Sequence, residues 1–325
     1  MTLPSCDVVI ATRDRPEALA RCLRGLRDQS HTGFRVIVVD DASQADIGPV
    51  VEDPQFADLD ITLVRRAQQS GPAAARNAGV DAATAEYIIF LDDDVLPDRY
   101  FVQVHLETIS RPHSPDAPIV SMGPFVQPAD WEPTPWNLWE ARQAKKEADA
   151  MLRGDYEPTW RQFHTGNNCL PTAAFRAVGG FDETFKRAED DELAIRLRDL
   201  GCVFVFEPSA IAWHYSNRSR DAWLAIPKAY AHFDVLIDRL HPHARFLPLK
   251  KWGLSVRRKP LRAVRRVFSG RRTPLGVALS LRAGETLYKA GLVDASMGAL
   301  SMAYDLSYVE SLRRAEASTP EPVGG

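Results

Sequence analysis

The sequence predicts an α/β fold organised around a parallel β-sheet. Short apolar runs alternate with helical segments, the chain is 45% apolar over 325 residues, and several apolar runs end in polar or acidic residues. Such alternation is typical of strands joined by crossover helices, and the apolar content suffices for a sizeable core. In such sheets, ligands bind where the carboxyl ends of the strands meet. This pattern therefore predicts that the first half of the chain forms a nucleotide-binding layer.

The elements of this layer follow one another in chain order. The apolar runs predict four strands, over residues 8–10, 34–39, 61–64 and 87–91. Helical spacing predicts one helix after Pro16 and an alanine-rich helix over residues 73–83. Pro97 stands at a favourable first helical position, so a further helix is expected soon after the last strand, with Asp98 able to cap it.

The cysteine spacing and the motifs that the sequence lacks argue against several classes of protein. The four cysteines have no CxxC spacing, so we expect neither a zinc site nor a disulfide framework, and a reducing compartment fits best. No stretch approaches about eighteen uninterrupted apolar residues, and the amino terminus lacks a signal-peptide pattern. No GxxxxGK[ST] or GxGxxG run is present, which argues against a P-loop nucleotidase or a dinucleotide enzyme. We therefore expect a cytoplasmic protein.

Although the net charge is −3, residues 250–272 near the carboxyl terminus form a basic block. No Asp or Glu occurs between Asp238 and Glu285, whereas ten Lys and Arg residues fall within residues 250–272. Apolar residues at helical spacing accompany them: Leu261, Val264, Val267 and Phe268. This pattern suits an amphipathic helix on the anionic inner face of a membrane or on an anionic partner. A helix packed on the domain with its arginines in water explains the pattern equally well.

Three consecutive acids, Asp92, Asp93 and Asp94, follow the 87–91 strand. Adjacent carboxylates repel one another unless a cation lies among them. A divalent ion such as Mn²⁺ or Mg²⁺, bridging to a substrate diphosphate, is the usual solution, because Mg²⁺ takes only one or two protein carboxylates beside phosphate oxygens and waters. A solvated acidic turn is the alternative.

Polar residues at two further places are candidates for nucleotide contacts. Asp40 and Asp41 end the second strand, where a carboxylate can accept hydrogen bonds from a base or ribose, and turn formation explains them equally well. Arg76 lies about one turn inside the alanine-rich helix, from which it can reach a base or phosphate. Its alternative is an arginine that is simply solvated.

The second half of the chain carries candidates for acceptor binding and catalysis. Four tryptophans either line a sugar-binding cleft or pack against the sheet: Trp131, Trp136, Trp139 and Trp160. Four acids from Glu189 to Glu192 head a helix, where the helix dipole favours negative charge. Since four exceed what capping requires, one of them is a candidate general base. His214 follows a predicted strand and is a candidate metal ligand or phosphate contact, or else a structural histidine.

The domain organisation predicted from these patterns has three parts. Residues 1–245 form one domain with a nucleotide-binding half, 1–117, and an acceptor-binding half, 118–245. Residues 246–315 form a basic helical region. Residues 316–325 form a disordered tail.

Six short motifs, in their order along residues 5–215, resemble those of family 2 glycosyltransferases of the GT-A fold. They are Val9-Ile10-Ala11-Thr12-Arg13, Val39-Asp40-Asp41-Ala42-Ser43, Gly71-Pro72 with Ala75-Arg76-Asn77, Phe90-Leu91-Asp92-Asp93-Asp94, Gly179-Gly180-Phe181-Asp182-Glu183 and Glu189-Asp190-Asp191-Glu192-Leu193. The resemblance implies a GT-A type, Rossmann-like mixed and mostly parallel sheet flanked by helices, with a helical C-terminal extension. It also implies inverting, metal-dependent transfer of a sugar from a nucleoside-diphosphate sugar to an acceptor hydroxyl.

The resemblance implies a role for each matching residue. The donor would be bound by Thr12, Arg13, Asp41, Arg76, Asp92 and Asp93. A divalent metal, Mn²⁺ or Mg²⁺, would be held by Asp94 and His214. Asp190 would be the general base, with Asp191 as the one-residue alternative. To the acceptor we assign Trp131, Trp136, Gly166, Asn167 and Glu189.

The favoured donor is a UDP-sugar, and the acceptor is a glycan, a lipid-linked molecule or a small molecule, with no nucleic acid partner. The alternatives are a non-catalytic nucleotide-sugar-binding protein and a membrane-recruited scaffold. A nucleotidyltransferase would need a basic, glycine-rich phosphate loop, which the sequence lacks.

Overall fold

The computed structural model describes residues 3–111, 117–247, 267–268 and 270–318. The chain forms two compact units. The first comprises Met1–Trp131 and Ala141–Ser216, and the second comprises Glu132–Glu140 and Asn217–Gly325.

The first unit contains the predicted sheet and its helices. Its strands are β1 Cys6–Thr12, β2 Phe34–Asp40, β3 Ile61–Arg65, β4 Tyr87–Leu91, β5 Val95–Pro97, β6 Ile119–Met122, β7 Phe125–Val126, β8 Asn167–Pro171, β9 Val203–Phe206 and β10 Ala212–His214. Its helices are α1 Pro16–Arg27, α2 Gly48–Val51, α3 Pro72–Ala82, α4 Phe101–Ile109, α6 Thr172–Ala177 and α7 Glu189–Asp199, together with the later part of α5 Pro135–Leu152.

Seven strands form the main sheet in the order β3-β2-β1-β4-β8-β6-β9. The first four are parallel, β8 runs antiparallel between β4 and β6, and β9 is parallel to β6. The predicted mixed, mostly parallel sheet is therefore confirmed. Thr12 lies opposite Asp40 in the β1–β2 register, and Val9 lies opposite Phe90 in the β1–β4 register. These registers bring the polar ends of β1, β2 and β4 to one edge of the sheet.

Small residues let helix α3 approach this sheet closely. A Cβ on Gly79 would lie 2.4 Å from Cγ1 of Val9, so only glycine fits there. The neighbouring Ala74 and Ala75 are fully buried. The close contact fixes α3, and with it Arg76, against the carboxyl edge of the sheet.

A second sheet has three strands in the order β5-β10-β7. Its register pairs Val95 with His214, which brings the neighbouring Asp94 beside that histidine. The prediction of a helix start at Pro97 was wrong. Pro97 ends strand β5, and helix α4 begins only at Phe101. The reason is tertiary, because pairing with β10 holds residues 95–97 extended.

The second unit is helical. It contains the first residues of α5, then α8 Arg220–Leu240, α9 Thr273–Lys289 and α10 Val293–Ser318. Trp223 and Ile226 of α8 pack with Leu300 and Ala303 of α10 in a buried cluster. Trp139 stacks on Tyr304, with ring centroids 4.8 Å apart. The structure therefore divides the chain near residue 216 rather than 245, because the apolar face of α8 packs on the later helices.

Two expectations concern the end of the chain. The predicted disorder was wrong for residues 316–318, which complete helix α10. Residues 319–325 lie outside the described residues, as do residues 250–266 and 269 of the basic block. Among the helices of the described ranges, none combines the length and the apolar character needed to cross a membrane.

Candidate active site

The three acids after β4 point to three different partners. Oδ1 of Asp92 accepts a hydrogen bond from Nη2 of Arg76 at 2.9 Å. Asp93 turns towards β1, where its Oδ2 accepts from Oγ1 of Thr12 at 2.7 Å. Oδ1 of Asp94 lies 3.5 Å from Nε2 of His214. The triplet therefore connects α3, β1 and β10 at the carboxyl edge of the sheet.

Arg15, which was not among the site residues predicted from the sequence, supplies positive charge to this triplet. Its Nη1 lies 3.1 Å from Oδ1 of Asp93 and 3.3 Å from Oδ2 of Asp94. Burial and the charge of Asp94 nevertheless raise the pKa of Asp93 to about 6. The approach of Arg15 depends on the loop after β1, where Asp14 adopts a left-handed conformation with φ of 52°. A single basic residue in a loop gives little sign of this contact in the sequence.

Arg76 joins the two acid clusters. Its Nη1 donates to Oε1 of Glu189 at 3.0 Å, while its Nη2 donates to Asp92. The side chain is only 10% exposed. Burial opposes its charge, but the two carboxylates outweigh that cost, and the pKa of Arg76 is raised. Acids almost one hundred residues apart in sequence therefore meet through one guanidinium group.

Gly166 provides the space that Asp92 occupies. It has a φ of 122°, and a Cβ placed on it would lie 2.4 Å from Oδ2 of Asp92. Only glycine combines this backbone conformation with such a close approach. Gly166 therefore shapes the site through its missing side chain.

The candidate base lies in the first turn of α7. The side chain of Asp190 is 17% exposed, and its Oδ1 accepts a hydrogen bond from the backbone N–H of Asp191. Burial raises the pKa of Asp190, but interaction with His164 outweighs this and leaves the pKa lowered. The buried Ala188 just before the helix has a φ of 60°, a left-handed conformation that is costly for a residue with a side chain. Such strain is common where a side chain must be aimed at a site.

Two of the predicted donor-binding residues have local partners. Asp41 accepts backbone hydrogen bonds from Ser70 at 3.0 Å and Gly71 at 2.8 Å, which fixes the turn into α3. Nε of Arg13 lies 3.5 Å from the carboxylate of Asp14. Both residues therefore have partners in the loops at the carboxyl edge of the sheet.

The predicted acceptor residues divide between the two units. Trp131 donates from Nε1 to the carbonyl of Ser216, two residues after His214. Trp136 belongs to the second unit, where its Nε1 donates to the carbonyl of Arg218. There it lines a cavity of about 260 Å³ together with Ser219, Arg220, Asp221 and Glu285.

Asn167 lies in a buried hydrogen-bond network. Its Nδ2 donates to the carbonyls of Pro124 and Ala210, so its Oδ1 accepts from Nε2 of His105 at 3.0 Å. Burial keeps this ring neutral, so with the proton on Nε2 the lone pair of Nδ1 accepts from Oγ of Ser121 at 2.8 Å. Burial lowers the pKa of His105 to about 4, in agreement with this neutral state. The side chain of Asn167 thus stabilises the start of β8 through buried hydrogen bonds.

The Glycosyl transferase family 2 model matches residues 7–174, just over half of the chain. The chain belongs to this family. The resemblance to family 2 glycosyltransferases that the six motifs indicate is therefore confirmed.

Two relatives illustrate the similarity within the family. The pre-mycofactocin glycosyltransferase of Mycobacterium tuberculosis is 31% identical over 248 residues, which cover 72% of this chain and 48% of that protein. The amylovoran biosynthesis glycosyltransferase AmsB of Erwinia amylovora is 28% identical over 252 residues, covering 74% of this chain and 78% of AmsB. The chain thus spans about half the length of the mycobacterial relative.

Solved structures confirm the GT-A fold of the family. The mannosyltransferase PcManGT of Pyrobaculum calidifontis, in complex with GDP-Man and Mn²⁺, aligns with a TM-score of 0.60. The alignment covers 96% of this chain and 88% of that one at 19% sequence identity.

The residues around Asp94 fit a divalent cation. The carboxylate and imidazole atoms of Asp94 and His214 lie 3.5 Å apart. Two neighbouring ligands of an octahedral ion at about 2.1 Å lie roughly 3 Å from each other, so a small movement brings both within reach. Two protein ligands are sufficient where diphosphate oxygens and waters complete the shell.

Proposed function

We propose that this protein is an inverting glycosyltransferase that moves a sugar from a nucleoside-diphosphate sugar to an acceptor hydroxyl with a divalent cation. The observation that carries the proposal is the contact of Arg76 with both Asp92 and Glu189. This contact connects two acid clusters. The cluster with Asp92 suits the donor diphosphate, and the cluster with Glu189 suits the acceptor. One site of this kind can hold both reactants, which converts their encounter into a reaction between oriented groups.

The donor would lie along the carboxyl edge of β1, β2 and β4. Thr12, Asp41 and Asp92 are the residues that we assign to the nucleoside, with Arg13 beside them. Asp93, which is buried against Thr12, would hold the loop that carries Asp92. Arg76 would keep Asp92 ionised and oriented.

Asp94 and His214 would hold the cation. A divalent ion at this place would stabilise the negative charge that develops on the departing diphosphate. Arg15 offsets part of the charge of the acid triplet. Because Asp94 and His214 are fixed by the pairing of β5 with β10, the ligand pair is held by the fold rather than by a free loop.

Asp190 is the residue that we assign as the general base. Glu189, its neighbour, is committed to Arg76, whereas Asp190 is partly exposed and oriented from the rigid start of α7. Its carboxylate would accept the acceptor hydroxyl proton while that oxygen forms a bond to the anomeric carbon. Attack from the face opposite the diphosphate would invert the configuration at that carbon.

Donor binding can be tested without knowledge of the acceptor. We expect a matching nucleotide sugar to raise the melting temperature in the presence of Mn²⁺, because a ligand that binds only the folded state stabilises it by mass action. The screen includes UDP-sugars, which we favour, and GDP-mannose, which is bound in the similar mannosyltransferase structure. Asp94→Ala should lose most of the Mn²⁺-dependent shift.

The matched control is Asp58→Ala, which removes an exposed carboxylate between α2 and β3. It should keep the full shift. An Asp94→Ala variant with an unchanged Mn²⁺-dependent shift would remove that residue from the cation site. A protein that binds the donor but releases no nucleoside diphosphate with any acceptor would favour the non-catalytic alternative.

We further propose that the second unit contacts an anionic membrane surface. Leu275 and Leu279 lie one turn apart on α9 and are 57% and 48% exposed. Exposed arginines accompany them at 271, 272 and 282, and no acid occurs between Asp238 and Glu285. Apolar side chains flanked by basic ones are typical of helices that lie in the interface of an anionic bilayer.

Co-sedimentation with lipid vesicles tests this contact. We expect binding to vesicles of phosphatidylglycerol and phosphatidylcholine, and at least about tenfold weaker binding of a Leu275→Glu/Leu279→Glu variant, since each leucine would gain about 1.5 kcal/mol on burial. Leu200→Glu, at an exposed leucine of the first unit, is the control. Equal binding of all three proteins would contradict a role of the α9 face.

A further inference from the structure

A carboxylate, an imidazole and a second carboxylate lie in a row at the candidate base. Nδ1 of His164 is 3.8 Å from Oδ2 of Asp190, and Nε2 of the same ring is 3.6 Å from Oε2 of Glu147. The three residues come from separate segments: Glu147 from α5, His164 from the loop before β8, and Asp190 from α7. Neither His164 nor Glu147 belongs to the donor-binding, cation-binding or base residues proposed for this site.

The geometry fits a positively charged imidazole. A neutral histidine has one N–H donor and one lone pair, so one of its nitrogens would direct a lone pair at a carboxylate. The imidazolium ion carries two N–H groups and suits both partners at once. Burial lowers the pKa of His164, but the interactions with Asp190 and Glu147 outweigh burial and raise this pKa to about 10. The raised pKa agrees with a positively charged ring. The side chain is still 52% exposed, so solvent screens part of this attraction.

Other charged groups act on Asp190 as well. Arg76 adds a second positive charge from α3, and the neighbouring carboxylates of Glu189 and Asp191 add negative charge from α7. Arg76 already pairs with Asp92 and Glu189, so its attraction is shared among several acids. His164 differs because its only other charged partner, among the ion pairs of the described residues, is Glu147.

We propose that His164, held in its charged form by Glu147, is a positioning residue that keeps Asp190 ionised and oriented and thereby extends sugar transfer to lower pH. The inference rests on the proposed function, in which Asp190 is the base. The proton taken from the acceptor hydroxyl goes to the Asp190 carboxylate, and His164 keeps its own two protons throughout. A charged neighbour makes the base weaker but keeps it available in more acidic solution.

The pH profile of kcat/KM distinguishes this role from a structural one. In His164→Gln, we expect the acidic limb to move upward by about one pH unit, because an opposite charge at this distance shifts a carboxylate pKa by about one to three units. In this variant kcat/KM should fall about tenfold at pH values below the acidic limb and only slightly at pH values well above it. His164→Lys, which restores a positive charge, should move the limb back towards its wild-type position.

Two outcomes of this profile would overturn the proposal. One is a loss by the same factor at every pH, which would indicate a structural contribution. The other is an acidic limb that stays in place in His164→Gln.

A second measurement keeps the inference separate from the proposed function. The imidazole titration of His164, assigned by NMR from the peak missing in His164→Gln, should lie above the ordinary value of about 6.5 and fall in Glu147→Gln. A wild-type His164 pKa near the ordinary value of about 6.5 would show that Glu147 and Asp190 do not hold His164 in its charged form. Absence of transfer in the wild type at every pH would instead overturn the proposed function, and the NMR titration would still decide whether the row exists.

Discussion

Replacing Asp190 by Asn should abolish sugar transfer while leaving donor binding within a few-fold of the wild type. A general base acts on the acceptor proton and not on the nucleotide, and such a base contributes about 10²- to 10⁴-fold to the rate. We therefore expect kcat to fall by at least about 100-fold. Asn keeps the shape of the side chain and can still accept the hydrogen bond from the backbone of Asp191. Transfer is measured as release of nucleoside diphosphate, and donor binding as the Mn²⁺-dependent thermal shift.

Asp191→Asn is the matched control for this experiment. The two acids are adjacent in the first turn of α7, so helix-dipole and net-charge effects are the same in both variants. We expect Asp191→Asn to retain activity within about tenfold, on the same scale of base contributions. A larger loss in Asp191→Asn than in Asp190→Asn would move the base by one residue. Full activity in Asp190→Asn would remove Asp190 from the mechanism.

The parts of this protein that the sequence predicted are those with strong local patterns. The buried strands of the main sheet are apolar runs, and their order along the chain together with short motifs indicated the family. The acids that follow β4 were identified because adjacent carboxylates repel one another unless a cation lies among them. The acids that head α7 were identified because four exceed what helix capping requires. That β1, β2 and β4 end at one edge of the sheet follows from the rule that parallel strands share one carboxyl edge. The contact of Arg76 with Glu189 of α7 does not follow from that rule and depends on the tertiary fold.

The contacts that the sequence did not predict depend on tertiary pairing. Pro97 has the local features of a helix start, but its segment pairs with β10. Arg15 and His164 are single residues in loops, and only the fold shows that they face acids. Asn167, assigned to the acceptor, has its side chain engaged by His105 and two backbone carbonyls. Local sequence cannot tell which of these partners a polar side chain will meet.

Replacing Arg76 by Met should destabilise the first unit by about 3 kcal/mol at neutral pH. Met preserves most of the side-chain length but removes the charge, which leaves the carboxylates of Asp92 and Glu189 without their common partner. Removing one member of a buried ion pair costs about 3–5 kcal/mol, and the lower end applies here because the Asp92 side chain is 36% exposed. Urea unfolding gives the free-energy difference, and Arg24→Met, at an exposed position of α1, should change it by less than about 0.5 kcal/mol.

The pH dependence of this loss identifies its cause. Burial already raises the pKa values of Asp92 and Glu189 in the folded protein, and loss of Arg76 should raise them further. A carboxyl group whose folded pKa exceeds its unfolded pKa destabilises the folded state as pH rises from the unfolded value through the folded one. The deficit of Arg76→Met should therefore be smallest near pH 4 and grow towards neutral pH. A deficit that is equal at both pH values would mean that Arg76 contributes packing rather than charge. No deficit at all would mean that the two acid clusters do not depend on Arg76 to coexist in one site.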